Sequence, residues 1–278
     1  MPTVSFGRAS GVAVWSALRT ARDALASVVF PAPCRMCAST LDTASRVPIC
    51  AQCLASFDRI HGPLCACCGR PIISPQAADF LVVLCRLCRA ETFGFDFARS
   101  FALYNDPMVR AILLLKHDAV APLGVWFADR LSELVASTPE CLNADVIVSV
   151  PLHPTRLRER GYNQAELIAR PLGRALHLPL KPFLLVRTKP RPEKLRLTRH
   201  ERWETVRGAY VAREGIRVDN LHILLVDDVM TTGATLDACS RALRKAGAAR
   251  VTALTVARSV PNWMATEDIR EQPGVHGT

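Results

Sequence analysis

The chain has 278 residues, 50% of them hydrophobic and 22% charged, which is enough apolar material for a sizeable core and more length than one typical domain needs. Its formal net charge of +10 and sequence pI of about 9.3 favour anionic partners: phosphates, nucleotides, nucleic acid or an acidic membrane surface. A membrane-spanning class is excluded by pattern, because the apolar stretch from Gly11 to Phe30 is interrupted by Arg19, Arg22 and Asp23.

Residues 1–30 are therefore expected to form an amphipathic helix, with a mitochondrial-type presequence as the alternative, since Arg8, Arg19 and Arg22 accompany several serines. Residues 31–93 are a second expected unit. Of eleven cysteines, nine lie between Cys34 and Cys88, and eight of those nine form Cys-x-x-Cys pairs. Cys34, Cys37, Cys50 and Cys53 have the two-knuckle spacing of a tetrahedral zinc ribbon, and Cys65, Cys68, Cys85 and Cys88 repeat it. Four thiolates close the coordination sphere, so two structural zinc ions are expected, in a reducing and hence cytoplasmic compartment. Which pairs share a metal stays open, and Cys67 crowds the second knuckle as a competing ligand.

From residue 94 to 261 the pattern alternates strand and helix. Phe95 to Tyr104 reads as a strand. Pro107 to Lys116 and the face made by Leu123, Phe127, Leu131 and Leu134 read as helices. Asp145 to Val150 is a buried strand, followed by a loop carrying Arg156, Arg158 and Arg160, then a helix from Asn163 to Leu176. Lys189 to Arg207 is dense in Arg, Lys and Pro and reads as an exposed mobile loop. Leu221 to Val226 is a strand ending in two acids, Gly233 to Ala246 a helix stopped by Gly247, and Val251 to Ala257 a strand. Residues 262–278 read as a disordered tail. The fold class is α/β, a mostly parallel sheet flanked by helices, with ligands at the carboxyl ends of its strands.

One segment carries the chemistry. After the strand, Asp227-Asp228-Val229-Met230-Thr231-Thr232-Gly233-Ala234-Thr235 turns into a helix, where unpaired backbone N–H groups and threonine hydroxyls can hold a phosphate. Gly233 is expected to let the phosphate reach those amides and to adopt the dihedrals that a tight turn demands. Two carboxylates beside a phosphate repel it unless they accept hydrogen bonds from hydroxyls or face a divalent cation, and a ribose 5-phosphate meets both conditions.

This stretch resembles the PRPP signature of type I phosphoribosyltransferases. Together with Pro151-Leu-His153, Arg160-Gly-Tyr-Asn-Gln-Ala-Glu-Leu167 and Leu115-Lys116-His117 it resembles the ComF family of competence-associated proteins, in which a Cys-rich zinc module precedes a type I phosphoribosyltransferase domain. The resemblance implies that Asp227 and Asp228 hold the ribose hydroxyls and serve as the catalytic acids, and that Thr231, Thr232, Gly233, Ala234 and Thr235 hold the 5-phosphate. It also implies that Mg2+ arrives on the pyrophosphate, which departs toward Lys116 and Arg160. Leu197 and Arg202 match the Leu and Arg of the family's mobile loop, whereas Lys194 stands where Gln is usual and Thr205 where Asn is usual. The implied partners are PRPP, single-stranded DNA and competence or DNA-processing proteins. Three readings follow: a PRPP-dependent transferase whose acceptor is unidentified, a nucleic-acid handling protein, and a PRPP sensor without turnover.

Overall fold

The computed structural model describes residues 33–41, 46–72, 82–141, 143–190 and 198–260. The expected N-terminal helix, the C-terminal tail and Lys194 lie outside the described residues. The chain divides into two compact units, one ending at Phe57 and the other beginning at Asp58, so each cysteine cluster belongs to a different unit.

In the first unit the sulfur-bearing residues Cys34, Cys37, Cys50 and Cys53 converge, with their ligand atoms all within 4.8 Å of one another. A short helix, α1 (Ala51–Ala55), starts where the Cys50 side chain accepts from the Cys53 N–H. In the second unit Cys65, Cys68, Cys85 and Cys88 converge in the same way, and α2 (Arg86–Ala90) begins at the second pair. The pairing is thus sequential, and Cys67 is not one of the four.

The rest of the second unit is a four-stranded parallel sheet, its helices and a small two-stranded antiparallel ribbon. In chain order its elements are β1 (Phe97–Leu103), α3 (Asp106–His117), α4 (Ala121–Ala136), β2 (Val146–Ser149), α5 (Pro154–Arg160) and α6 (Gln164–Ala175). They continue with β3 (Leu185–Arg187), α7 (Arg199–Val206), β4 (Tyr210–Ala212), β5 (His222–Met230), α8 (Ala234–Lys245) and β6 (Arg250–Arg258). The sheet order is β1-β6-β5-β2, every pair parallel, while β3 and β4 pair antiparallel. The central strands are buried on both faces: Ile223 to Val226, all apolar, are fully buried, as are Val251 to Ala257, where Thr252 and Thr255 are the polar members.

Four details differ from the expectations drawn from sequence. β5 does not stop at the acids. Its ladder with β6 continues through Asp227 opposite Thr255 and Met230 opposite Arg258, so the aspartates sit inside the strand. The segment carrying Arg156, Arg158 and Arg160 is the helix α5 rather than a loop, started by Pro154 with the His153 ring accepting from the Thr155 N–H. The distal part of the basic loop is also helical: Thr198 and Glu201 form a capping box that opens α7. The third difference has a long-range cause as well, since Trp203 of α7 finds an aromatic partner in Phe93. Finally the β3–β4 ribbon, three residues a strand, was too short to announce itself by periodicity.

Candidate functional site

The site is built where β5 ends and α8 begins. Gly233 is the N-cap of α8 at φ +87°, and no side chain caps the helix there. By contrast α5, α6 and α7 have their N-caps filled by His153, Asn163 and Thr198. Among the described residues no acceptor meets the backbone N–H groups of Thr231, Thr232 or Gly233, while Thr232 Oγ1 accepts from the Ala234 N–H at 3.3 Å. Thr231, Thr232 and Thr235 are half-buried and Gly233 and Ala234 buried. Orphan amides on the positive end of a twelve-residue helix favour an anion.

The dihedral reason for glycine at 233 holds, since the turn places this residue at φ +87°. Besides the positive φ, an added Cβ would lie 2.9 Å from Met230 Cε and 3.2 Å from Phe93 Cε1, so it would also press on protein. Phe93 itself stacks on Phe95 at a centroid distance of 4.8 Å and meets Trp203 at 5.9 Å. These aromatics brace the turn from beneath.

Asp227 and Asp228 are both buried, and Asp227 Oδ1 accepts from the Asp228 N–H at 2.9 Å. Burial, and after it the charge of Asp228, pushes the Asp227 carboxyl well above the usual carboxylate range. Lys116, at the end of α3, forms an ion pair with Asp228, Nζ to Oδ2, at 2.6 Å. Burial works against the Lys116 ammonium, yet the charge and hydrogen bond of Asp228 outweigh it and hold the lysine above its ordinary value. Lys116 and Asp228 thus form a close pair, and the carboxyl that burial raises is that of Asp227.

Arg202 of α7 reaches the same turn, its Nη1 donating to Thr231 Oγ1 at 3.0 Å. Arg160 is engaged elsewhere, with Nη1 donating to the buried side chain of Gln164, the first residue of α6. Lys116 and Arg202 are thus brought onto the acids and threonines of the turn, and Arg160 is tied to the start of the neighbouring helix.

The segment around Tyr162 explains how Lys116 is placed. Tyr162 Oη donates to the Leu115 carbonyl at 2.9 Å and accepts from the Ala119 N–H at 3.1 Å, pinning the last turn of α3 on both sides of the lysine. Asn163 accepts from the Ala165 N–H at 3.1 Å as N-cap and donates from Nδ2 to the Val150 carbonyl at 3.0 Å, fixing α6 to the end of β2. Glu166 pairs with Arg170 instead of completing a capping box. The Tyr162 latch had no signal in the sequence, because both its partners lie more than forty residues away on the backbone.

Among the described residues, only the two cysteine clusters gather three or more metal-ligating groups. The acidic pair is not a third: Asp228 is taken by Lys116, so the site offers no protein cage for a divalent cation.

Comparison with known proteins agrees with the order of parts. Residues 25–90 match the double zinc ribbon domain and residues 165–267 the phosphoribosyl transferase domain. The two cysteine clusters are accordingly structural zinc sites. The chain is 29% identical over 216 residues to the competence protein ComFC of Bacillus subtilis (strain 168), covering 76% of this chain and 84% of that protein. It is 29% identical over 221 residues to the DNA utilization protein YhgH of Escherichia coli (strain K12), covering 76% and 91%. A solved structure that resembles it is the purine phosphoribosyltransferase from Pyrococcus horikoshii Ot3, at 20% identity, 55% of this chain, 95% of that one and a TM-score of 0.30. Among the described residues no helix is long and apolar enough to cross a membrane.

Proposed function

The chain belongs to the ComF family, with a double zinc ribbon ahead of a phosphoribosyltransferase-type domain, and on that premise we propose that the β5–α8 turn binds PRPP in a protein that serves DNA uptake and utilization. The observation that carries the reading is the set of unpaired N–H groups at Thr231, Thr232 and Gly233 beside a buried acidic pair. In this reading the 5-phosphate takes those amides together with the hydroxyls of Thr232 and Thr235. The ribose hydroxyls donate to Asp227 and Asp228. Mg2+ comes bound to the pyrophosphate, because the protein side lacks a free ligand set. Lys116 and Arg202 already sit at the turn, and a pyrophosphate would draw them from their carboxylate and hydroxyl partners toward itself. Arg160 joins them by leaving Gln164. Lys194 belongs to the same basic loop.

The DNA-related role is drawn from the relatives named for competence and DNA utilization, and the net charge of +10 is compatible with a nucleic-acid partner. Cysteines arranged as metal knuckles support a reducing, cytoplasmic compartment. Binding and turnover are separated by one set of measurements. Titration calorimetry with Mg2+–PRPP is expected to give a single saturable site, lost in the Asp227→Asn, Asp228→Asn double variant with two zinc ions per chain retained. Release of pyrophosphate on adding candidate bases or amines would identify a transferase. Saturable binding with no release would identify a PRPP-responsive DNA-handling protein, and unchanged affinity in the double variant would remove the carboxylates from the site.

A further inference from the structure

The second zinc ribbon is built into the edge of the sheet. Gly69 sits at φ +63° with its would-be Cβ only 2.4 Å from the Ala98 carbonyl oxygen, so the knuckle touches β1 backbone to backbone. The Ala98 N–H donates to the Cys67 carbonyl at 2.7 Å, and Arg99 Nη1 donates to the Ala66 carbonyl at 3.1 Å. Into this junction β6 sends Arg258, only 2% exposed, whose Nη2 donates to Cys68 Sγ at 3.3 Å. Its Nε and Nη1 are buried and meet no acceptor among the described residues, and the Nε of Arg70, from the same knuckle, is in the same condition.

The buried Arg258 and the half-buried Arg70, whose Nε is itself buried, repel each other, and among the described residues no carboxylate pairs with either, which leaves buried positive charge uncompensated. A counter-anion must therefore stand beside them. Four thiolates around one divalent zinc leave a dianion, which two guanidinium cations balance. We propose that Arg258 and Arg70 are the outer-shell counter-cations of the second zinc site, Arg258 through an N–H···S bond to Cys68, and that Arg258 thereby ties this zinc to the strands that carry the β5–α8 turn. Arg258 stands opposite Met230 in the β5–β6 ladder, and the Ser259 N–H donates to the Met230 carbonyl at 2.9 Å, immediately before Thr231. The first zinc lies in the other compact unit, so the protein contains its own control.

The test needs no ligand at the turn and is independent of the PRPP reading. In the full two-zinc protein, zinc release to 4-(2-pyridylazo)resorcinol is followed for the wild type, Arg258→Met and Arg258→Lys. Outer-shell partners typically contribute about 10–100-fold to metal affinity. Arg258→Met is expected to hasten the loss of one zinc by about that factor and leave the other at its wild-type rate. In the cobalt-substituted protein the thiolate-to-metal charge-transfer band should move to lower energy as the sulfur loses its N–H donor. If the methionine variant does not fold, Arg258→Lys decides, with a smaller acceleration of the same single zinc and the same direction of band shift. Release of both zincs at wild-type rates with an unmoved cobalt band would overturn the proposal. Equal acceleration of both zincs would do so too, because it would mark general loosening.

Discussion

Asp227 is the residue on which stability and binding pull in opposite directions. Its carboxyl is buried and faces the charge of Asp228, and it accepts a hydrogen bond from the Asp228 N–H. Because its folded-state affinity for a proton is raised, the unfolded chain releases that proton first as pH climbs past the ordinary value of 3.8. Asp227 therefore subtracts progressively from stability between that value and its raised folded pKa, and the subtraction is complete at higher pH. Asn keeps the acceptor for Asp228 N–H without the charge. Asp227→Asn is thus expected to raise the melting temperature of the ligand-free protein by about 2 °C or more at neutral pH, and to leave it unchanged near pH 3 if the protein is still folded there. Calorimetry across pH measures both. A lower melting temperature at neutral pH would mean that the charge is compensated in the empty site. The acids, the threonines and Gly233 were all legible in the sequence as a composite pattern. That Gly233 is required by Phe93 and Met230 was not, since Phe93 is distant in the chain and aromatic packing leaves no local signature.

At the level of elements, α3 is placed by a side chain from outside it. Without Tyr162 the last turn of α3 would lose a donor to Leu115 and an acceptor for Ala119, the two backbone groups that flank Lys116. Tyr162→Phe keeps the ring and deletes only the hydroxyl. It is expected to cost about 1–2 kcal/mol, because the Leu115 carbonyl and the Ala119 N–H each lose a partner, and to weaken anion binding at the turn through Lys116. Denaturant unfolding measures the first effect and phosphate or PRPP titration the second; an unchanged midpoint would show that water replaces the hydroxyl at no cost. The amphipathic helices α3, α4, α6 and α8 were readable because apolar residues at 3.6-residue spacing announce a buried face whatever it packs on. Helix α5 and α7 were not. Both are short and lack a sustained apolar face, and what secures them is a cap in each case and, for α7, the contact of Trp203 with Phe93.

For the whole molecule the consequential arrangement is the continuity of the second ribbon with the sheet. The Ile60 N–H donates to the Phe101 carbonyl and the Leu103 N–H to Asp58, so the chain entering this unit lies along the outer edge of β1, and the knuckle covers Ala98. Metal-binding energy at that site is then folding energy for the sheet edge. Replacing Cys85 and Cys88 by Ser is expected to speed amide hydrogen exchange in β1, at Ala98 above all, by about tenfold or more, corresponding to at least 1.4 kcal/mol of local opening. β2, at the far side of the four-stranded order, should be much less affected. Uniform protection of β1 with and without zinc would show that the edge stands by itself.

The sequence by itself determined the class of fold, the four Cys-x-x-Cys knuckles and the acid-acid to Thr-Thr-Gly turn, because each is written in neighbouring residues: hydrophobic period, ligand spacing and strand-to-helix chemistry are local. Only the tertiary structure decided that the metal pairing is sequential, that Lys116 meets Asp228, that Arg202 meets Thr231 and that Arg258 is buried against Cys68. Each of these is a contact between charged or polar groups far apart in the chain. Such contacts carry no periodicity, and their partners are chosen by the crossing of strands and helices, which no stretch of sequence records.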